Sequence, residues 1–139
     1  MNVHKSLTAV AVSIALVGCS ESTGLDAEDL QGSWTAAVYE YTDNANASNV
    51  EDIIQTNGAS FTMTVDASGT ASTLLDDGLG STSSDSGTLN STDTVITLGG
   101  ATFNAARSGD VLTLTDADQS FDFGSGSTSA TLRVVMNRD

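Results

Sequence analysis

Cysteine, lysine, histidine and proline are nearly or wholly missing from this chain. Its 139 residues include one cysteine, one histidine and no proline, and four basic side chains stand against eighteen acids. Lys5 and His4 both fall in the first five residues, so everything beyond them lacks lysine and histidine. These absences exclude most catalytic machinery. No Cys/His cluster exists to bind zinc. No Ser–His–Asp or Cys–His arrangement can form beyond residue 5. No lysine is available there for a Schiff base. Carboxylates, hydroxyls and two tyrosines remain, and this set does little general acid–base work near neutral pH. The expectation is a protein that is not an enzyme. The net charge of −14 also removes the Lys/Arg-driven counterion release on which nucleic-acid binding depends. It opposes contact with anionic head groups and fits solubility in salt.

The beginning of the chain carries the clearest pattern. A basic start, Met1 to Lys5, precedes an apolar run from Leu7 to Val17 and the small residue Gly18. This is the layout of a secretory signal, and the run is too short to span a bilayer. A single thiol in an exported chain calls for an explanation. Leu16-Val17-Gly18-Cys19 resembles the lipobox of bacterial lipoproteins. That resemblance implies cleavage before Cys19 and at least two acyl chains on it, each buried CH₂ adding about 0.8 kcal/mol of membrane attachment. In that family an Asp after the cysteine tends to retain the protein at the inner membrane. Here the residue is Ser20, so the resemblance points to the outer membrane where one exists. The organisation expected is a signal at 1–18, a polar tether at 19–26 reaching about 25 Å when extended, and one domain at 27–139.

Within that domain, Asp26 can cap a single helical turn over Ala27–Leu30. Short runs rich in Thr, Val, Phe and Leu follow, separated by Gly, Asn, Asp and Ser, the texture of strands and turns. Trp34, Ala36 and Val38 alternate with Thr35, Ala37 and Tyr39; Phe61, Met63 and Val65 alternate with Thr62 and Thr64. Asp66-Ala67-Ser68-Gly69 reads as a tight turn, and a strand over 70–75 follows it. Residues 76–86 read as an acidic Gly/Ser loop. Strands are expected at 87–90, 94–98, 101–107, 111–115, 119–123 and 129–138. Ser48-Asn49-Val50-Glu51 fits a capping box ahead of Val50, Ile53 and Ile54 at helical spacing; a strand through Ile53 and Ile54 is the alternative. Nine short strands with hairpin-length links predict an all-β, small antiparallel up-and-down barrel, or a sandwich.

Gly32-Ser33-Trp34 after a one-turn helix resembles the start of lipocalins and other small calycin barrels. More closely, the chain resembles bacterial lipocalin-like lipoproteins. The likeness is carried in order by Phe61 to Gly69-Thr70, Gly109-Asp110-Val111-Leu112-Thr113-Leu114, Phe121-Asp122-Phe123 and a last apolar strand ending in Arg. It implies that the Trp of the first strand packs on an Arg of the last, closing one barrel end. Side chains alternate along a strand, so Arg138 shares a face with Leu132, Val134 and Met136, and Arg133 points the other way. The closing set is therefore Gly32, Trp34 and Arg138, with Arg133 as the alternative. The resemblance puts a ligand mouth at the opposite end, where Val50, Ile53 and Ile54 serve as a lid over a cavity or as a plug completing the core.

Asp116, Asp118 and Asp122 space oxygens at short intervals, as some calcium loops do, but without the Gly and Glu of an EF-hand. Asp76, Asp77 and Asp85 are a second such group. Glu40, Tyr39 and Tyr41 are expected near the mouth, and Phe121 and Phe123 share one face. Two functions follow. One is a membrane-anchored carrier of a small apolar or amphipathic ligand, which requires an interior of at least about 300 Å³. The other is a ligand-free envelope module with a packed barrel and an exposed apolar patch.

Overall fold

The computed structural model describes residues 23–139; the signal reading at 1–18, Cys19 and Ser20 lie outside the described residues. A short helix α1 (Ala27–Leu30) leads into β1 (Gly32–Asp43). Then come β2 (Val50–Asp52), helix α2 (Ile53–Asn57), β3 (Ser60–Val65), β4 (Thr70–Asp76) and β5 (Thr82–Thr88). The chain continues through β6 (Asn90–Ser91), β7 (Val95–Leu98), β8 (Ala101–Ser108), β9 (Val111–Asp122) and β10 (Ser127–Arg138). Every pairing is antiparallel, and the order is β5-β4-β3-β1-β10-β9-β8-β7-β6, with β2 attached to β1. Leu89 links the two ends of this order, and Gly87 of β5 lies against Gly99 after β7, where neither residue has a side chain to hold the backbones apart. The sheet therefore curls into a nearly closed barrel with an apolar interior.

The strand pattern departs from the sequence expectation at four places, each with a physical cause. Thr82–Thr88 is a strand and part of the barrel wall, in place of the expected loop over 76–86, and the expected strand over 87–90 divides between the end of β5, Leu89 and the start of β6. Its residues are Thr, Ser, Asp and Gly, almost all exposed, so no apolar alternation marks it; pairing with β4 alone makes it a strand. The strands expected at 111–115 and 119–123 are one continuous β9. The helix expected after Ser48 starts later. Val50–Asp52 instead pairs with Glu40–Thr42, which takes up the backbone groups that a helix would use. Asp52 then caps α2 by accepting from the Ile54 amide, and Gly58 at φ 72° ends it. Finally, a bulge between Ala36 and Val38 shifts the alternation of β1. Such an extra residue exchanges the two faces beyond it. Tyr39 and Tyr41 therefore turn inward, while Val38 leaves the inner row that Trp34 and Ala36 begin.

One barrel end is sealed. Trp34 is 0% exposed and sits in register between Met63 of β3 and Arg138 of β10. Arg138 lies on the inner face with Leu132, Val134 and Met136, and its guanidinium carbon stands 4.6 Å from the indole centroid. Arg107, from β8, approaches the same ring at 5.8 Å. Arg133 points outward and meets Glu40 at 3.7 Å. A four-residue helix has almost no stability of its own, and its last carbonyls need partners. The Trp34 indole N–H donates to the Leu30 carbonyl at 2.8 Å. Arg138 donates to the carbonyls of Asp29 and Gln31 and also meets the Asp110 carboxylate at 3.4 Å. Arg107 donates to the Gly24 and Gly109 carbonyls. Gly32, at φ 119°, turns the chain from α1 into β1, and a side chain there would face Arg138.

Arg138→Ala removes two charge-assisted bonds and the contact with the ring. It should cost about 2–3 kcal/mol of stability, allowing for the partial exposure of the side chain. Arg138→Lys should recover less than half of that, because an ammonium cannot fork to two carbonyls. Urea unfolding followed through Trp34, the sole tryptophan, measures both; an unchanged midpoint for Arg138→Ala would contradict the assignment.

Candidate functional site

The inward turn of β1 organises the other end of the barrel. Only seven aromatic residues occur in the whole chain, and five of them form one continuous row. Phe61 meets Tyr39 edge-on at 5.4 Å, Tyr39 meets Tyr41 at 5.8 Å, Tyr41 stacks on Phe121 at 4.3 Å and 15°, and Phe121 meets Phe123 at 4.9 Å. The row runs from the interior to the rim. A second bulge, between Ala130 and Leu132 where β10 pairs β9, bends that hairpin, and Phe121 thereby reaches Tyr41 across the mouth.

Two spaces flank this row. The inner one is a cavity of about 100 Å³ lined by Tyr39, Phe61, Phe103, Leu114, Leu132 and Val134, with Thr73, Asp85, Leu98 and Ala101 toward the seam. Small-molecule sites occupy about 300–1,000 Å³, so this interior is too small for a ligand of that class and is essentially filled by side chains. The outer space is an open groove of about 530 Å³ at the mouth. Tyr41, Phe121 and Phe123 give it an aromatic side, and Leu75, Leu79 and Ile53 an aliphatic one. Glu51, Asp77 and Asp122 stand at its edge. Leu79 is 74% exposed, the most exposed large apolar side chain among the described residues. Its turn is pinned. Gly78 lies so close to the backbone of Asn57 and Ala59 that a side chain would collide there, and the Asp77 carboxylate accepts from the Leu79 and Ser81 amides.

Ile53 is buried and forms part of the groove wall. Ile54 packs against the core, but Val50 is 45% exposed on β2 and parts from the other two. Tyr39 lines the inner cavity, Tyr41 lines the groove, and Glu40 points out of the barrel to Arg133. Asp116 accepts from the Asp118 amide and the Gln119 side chain, and Asp122 from the Gly124 and Gly126 amides. These carboxylates organise their own turns, and among the described residues no three acidic, His or Cys side chains converge as a metal site would require. Asp76 and Asp77 do the same for the β4–β5 turn, while Asp85 lies against Gly99 at the seam. The groove itself eluded the sequence because it depends on two bulges. Its only trace was the pair of spaced aromatic doublets, Tyr39/Tyr41 and Phe121/Phe123.

Comparison with family models, with curated proteins and with solved structures finds no match to this chain.

Burial and the nearby Tyr41 push the Tyr39 hydroxyl far above its ordinary value of 10.0, and burial raises Tyr41 as well. An unfolded chain ionises both near pH 10, so the unfolded state sheds protons first and folding stability declines as pH rises above 10. Because the chain has two tyrosines, ultraviolet titration reads these alone. Phenolate absorbance should stay low past pH 10 and then appear together with unfolding; two ordinary titrations near pH 10 in the folded protein would contradict the burial.

Proposed function

We propose that this chain is an exported, lipid-anchored protein of the lipocalin-like type that holds a small apolar or amphipathic molecule without transforming it, at the mouth of the barrel. The observation that carries the reading is the aromatic groove of about 530 Å³ above an interior of only about 100 Å³. An apolar concavity edged by a few polar groups is the usual form of a small-molecule site. The aromatic residues of a chain that has so few are concentrated there. Lipid anchoring rests on the signal layout and on Cys19, the single thiol. The scarcity of histidine, lysine and cysteine supports binding over catalysis.

The filled interior favours a second reading, a ligand-free envelope module whose barrel is a scaffold. One experiment separates the two. Mass spectrometry of the full-length protein extracted from its membrane should give a mature chain beginning at acylated Cys19. Under native conditions it should also give a second mass for a co-extracted small molecule, and Phe121→Ala should lose that molecule. A bare apo mass in repeated preparations supports the scaffold reading. A mature chain without acyl groups overturns the anchor.

A further inference from the structure

The groove differs from a plain apolar pocket in the sign of its edge. Glu51 on β2, Asp77 in the β4–β5 turn and Asp122 at the end of β9 place carboxylates on three separate elements around the rings. Among the described residues no basic side chain lines the groove. The three arginines are committed elsewhere: Arg107 and Arg138 surround Trp34 at the sealed end, and Arg133 meets Glu40 outside the barrel. Backbone amides hold one oxygen of Asp77 and one of Asp122, which keeps both carboxylates in place and draws the Asp77 carboxyl below its ordinary range. All three carboxylates line the same groove. Beside them, the rings of Tyr41, Phe121 and Phe123 line the groove and give an apolar body a surface to pack on.

We infer that the occupant of this groove is a small organic cation with an aromatic or aliphatic body, its ammonium drawn to the carboxylates of Glu51, Asp77 and Asp122 that line the groove and its body on Tyr41, Phe121 and Phe123. The inference rests on the mouth being a ligand site and adds the charge of the ligand. An anionic amphiphile such as a fatty acid would meet three carboxylates with no counter-charge, so the groove rejects it. Leu79, exposed on its pinned turn, covers the apolar part of the bound molecule.

The test uses the full-length protein in detergent micelles and three probes with the same body: naphthylmethyl-trimethylammonium, naphthylmethanol and naphthalenesulfonate. Binding is read from the aromatic NMR signals of Tyr41, Phe121 and Phe123. The ammonium probe should shift these signals with at least tenfold higher affinity than the alcohol, and the sulfonate should leave them unchanged. The advantage of the ammonium should shrink as salt is raised. Glu51→Gln with Asp77→Asn keeps the rings and, through the Asn carbonyl, an acceptor for the turn; it should bring the ammonium close to the alcohol. Phe121→Leu should weaken both. Equal affinity of ammonium and alcohol in the native protein overturns the cation assignment while leaving the groove as a ligand site. Failure of every probe to shift the ring signals overturns both. Shifts spread over the acidic surface and absent from the three rings show non-specific cation condensation and overturn the inference as well.

Discussion

The indole of Trp34, covered by Arg138 and flanked by Arg107, is the constraint on which the rest of the barrel depends. A small antiparallel barrel has two open ends, and an open end exposes both apolar interior and unpaired backbone. Here one end is filled by the largest side chain in the protein and by a helix that cannot persist alone. The two cations that cover the ring also bond the carbonyls of that helix and of its approach. A chain with so few basic residues spends two of its three described arginines on this one junction. The arrangement brings α1, β1, β8 and β10 together, so elements from both ends of the domain must be in place before it forms.

With that end sealed, the geometry of the other end follows. Met63, Leu112, Met136 and Val134 fill the interior above Trp34, and the space left beneath Tyr39 is no larger than a few waters. The row of rings continues past this point as half-buried side chains that line the groove. Only 5% of the residues in the chain are aromatic, and three of them line this one groove, a concentration that calls for a function. The acids around it belong to the same economy: two of the three also stabilise the turns that shape the groove.

The alternation of Leu132, Val134, Met136 and Arg138, together with antiparallel closure, is enough to read the inner face of the last strand from residues alone. The β-barrel architecture was legible for that reason, as was the turn at Asp66 to Gly69, where three bonds to one Asp oxygen accompany a glycine at φ 80°. Features that break period or lack it were not legible. The bulge after Ala36 exchanges the faces of Val38 and Tyr39, and no local residue type announces it. β5 contains no buried apolar residue, so hydropathy cannot distinguish it from a loop. Arg107 reaches Trp34 through the path of β8, information that a single strand's pattern does not hold. The capping box at Ser48 was a sound local signal overridden by tertiary pairing, as β2 recruited the same backbone into the sheet.

Stability is expected to reside at the sealed end and to fall toward the mouth. Native-state amide hydrogen exchange tests it most directly, because local and global opening separate in that measurement. The amides of Trp34, Met63, Leu112 and Met136 should exchange only through global unfolding. Those of Thr82–Thr88 and of the Phe121–Phe123 rim should exchange through smaller openings, orders of magnitude faster. Uniform protection around the barrel, or faster exchange at Trp34 than at the mouth, would show that the Trp34–Arg138 junction does not anchor the barrel.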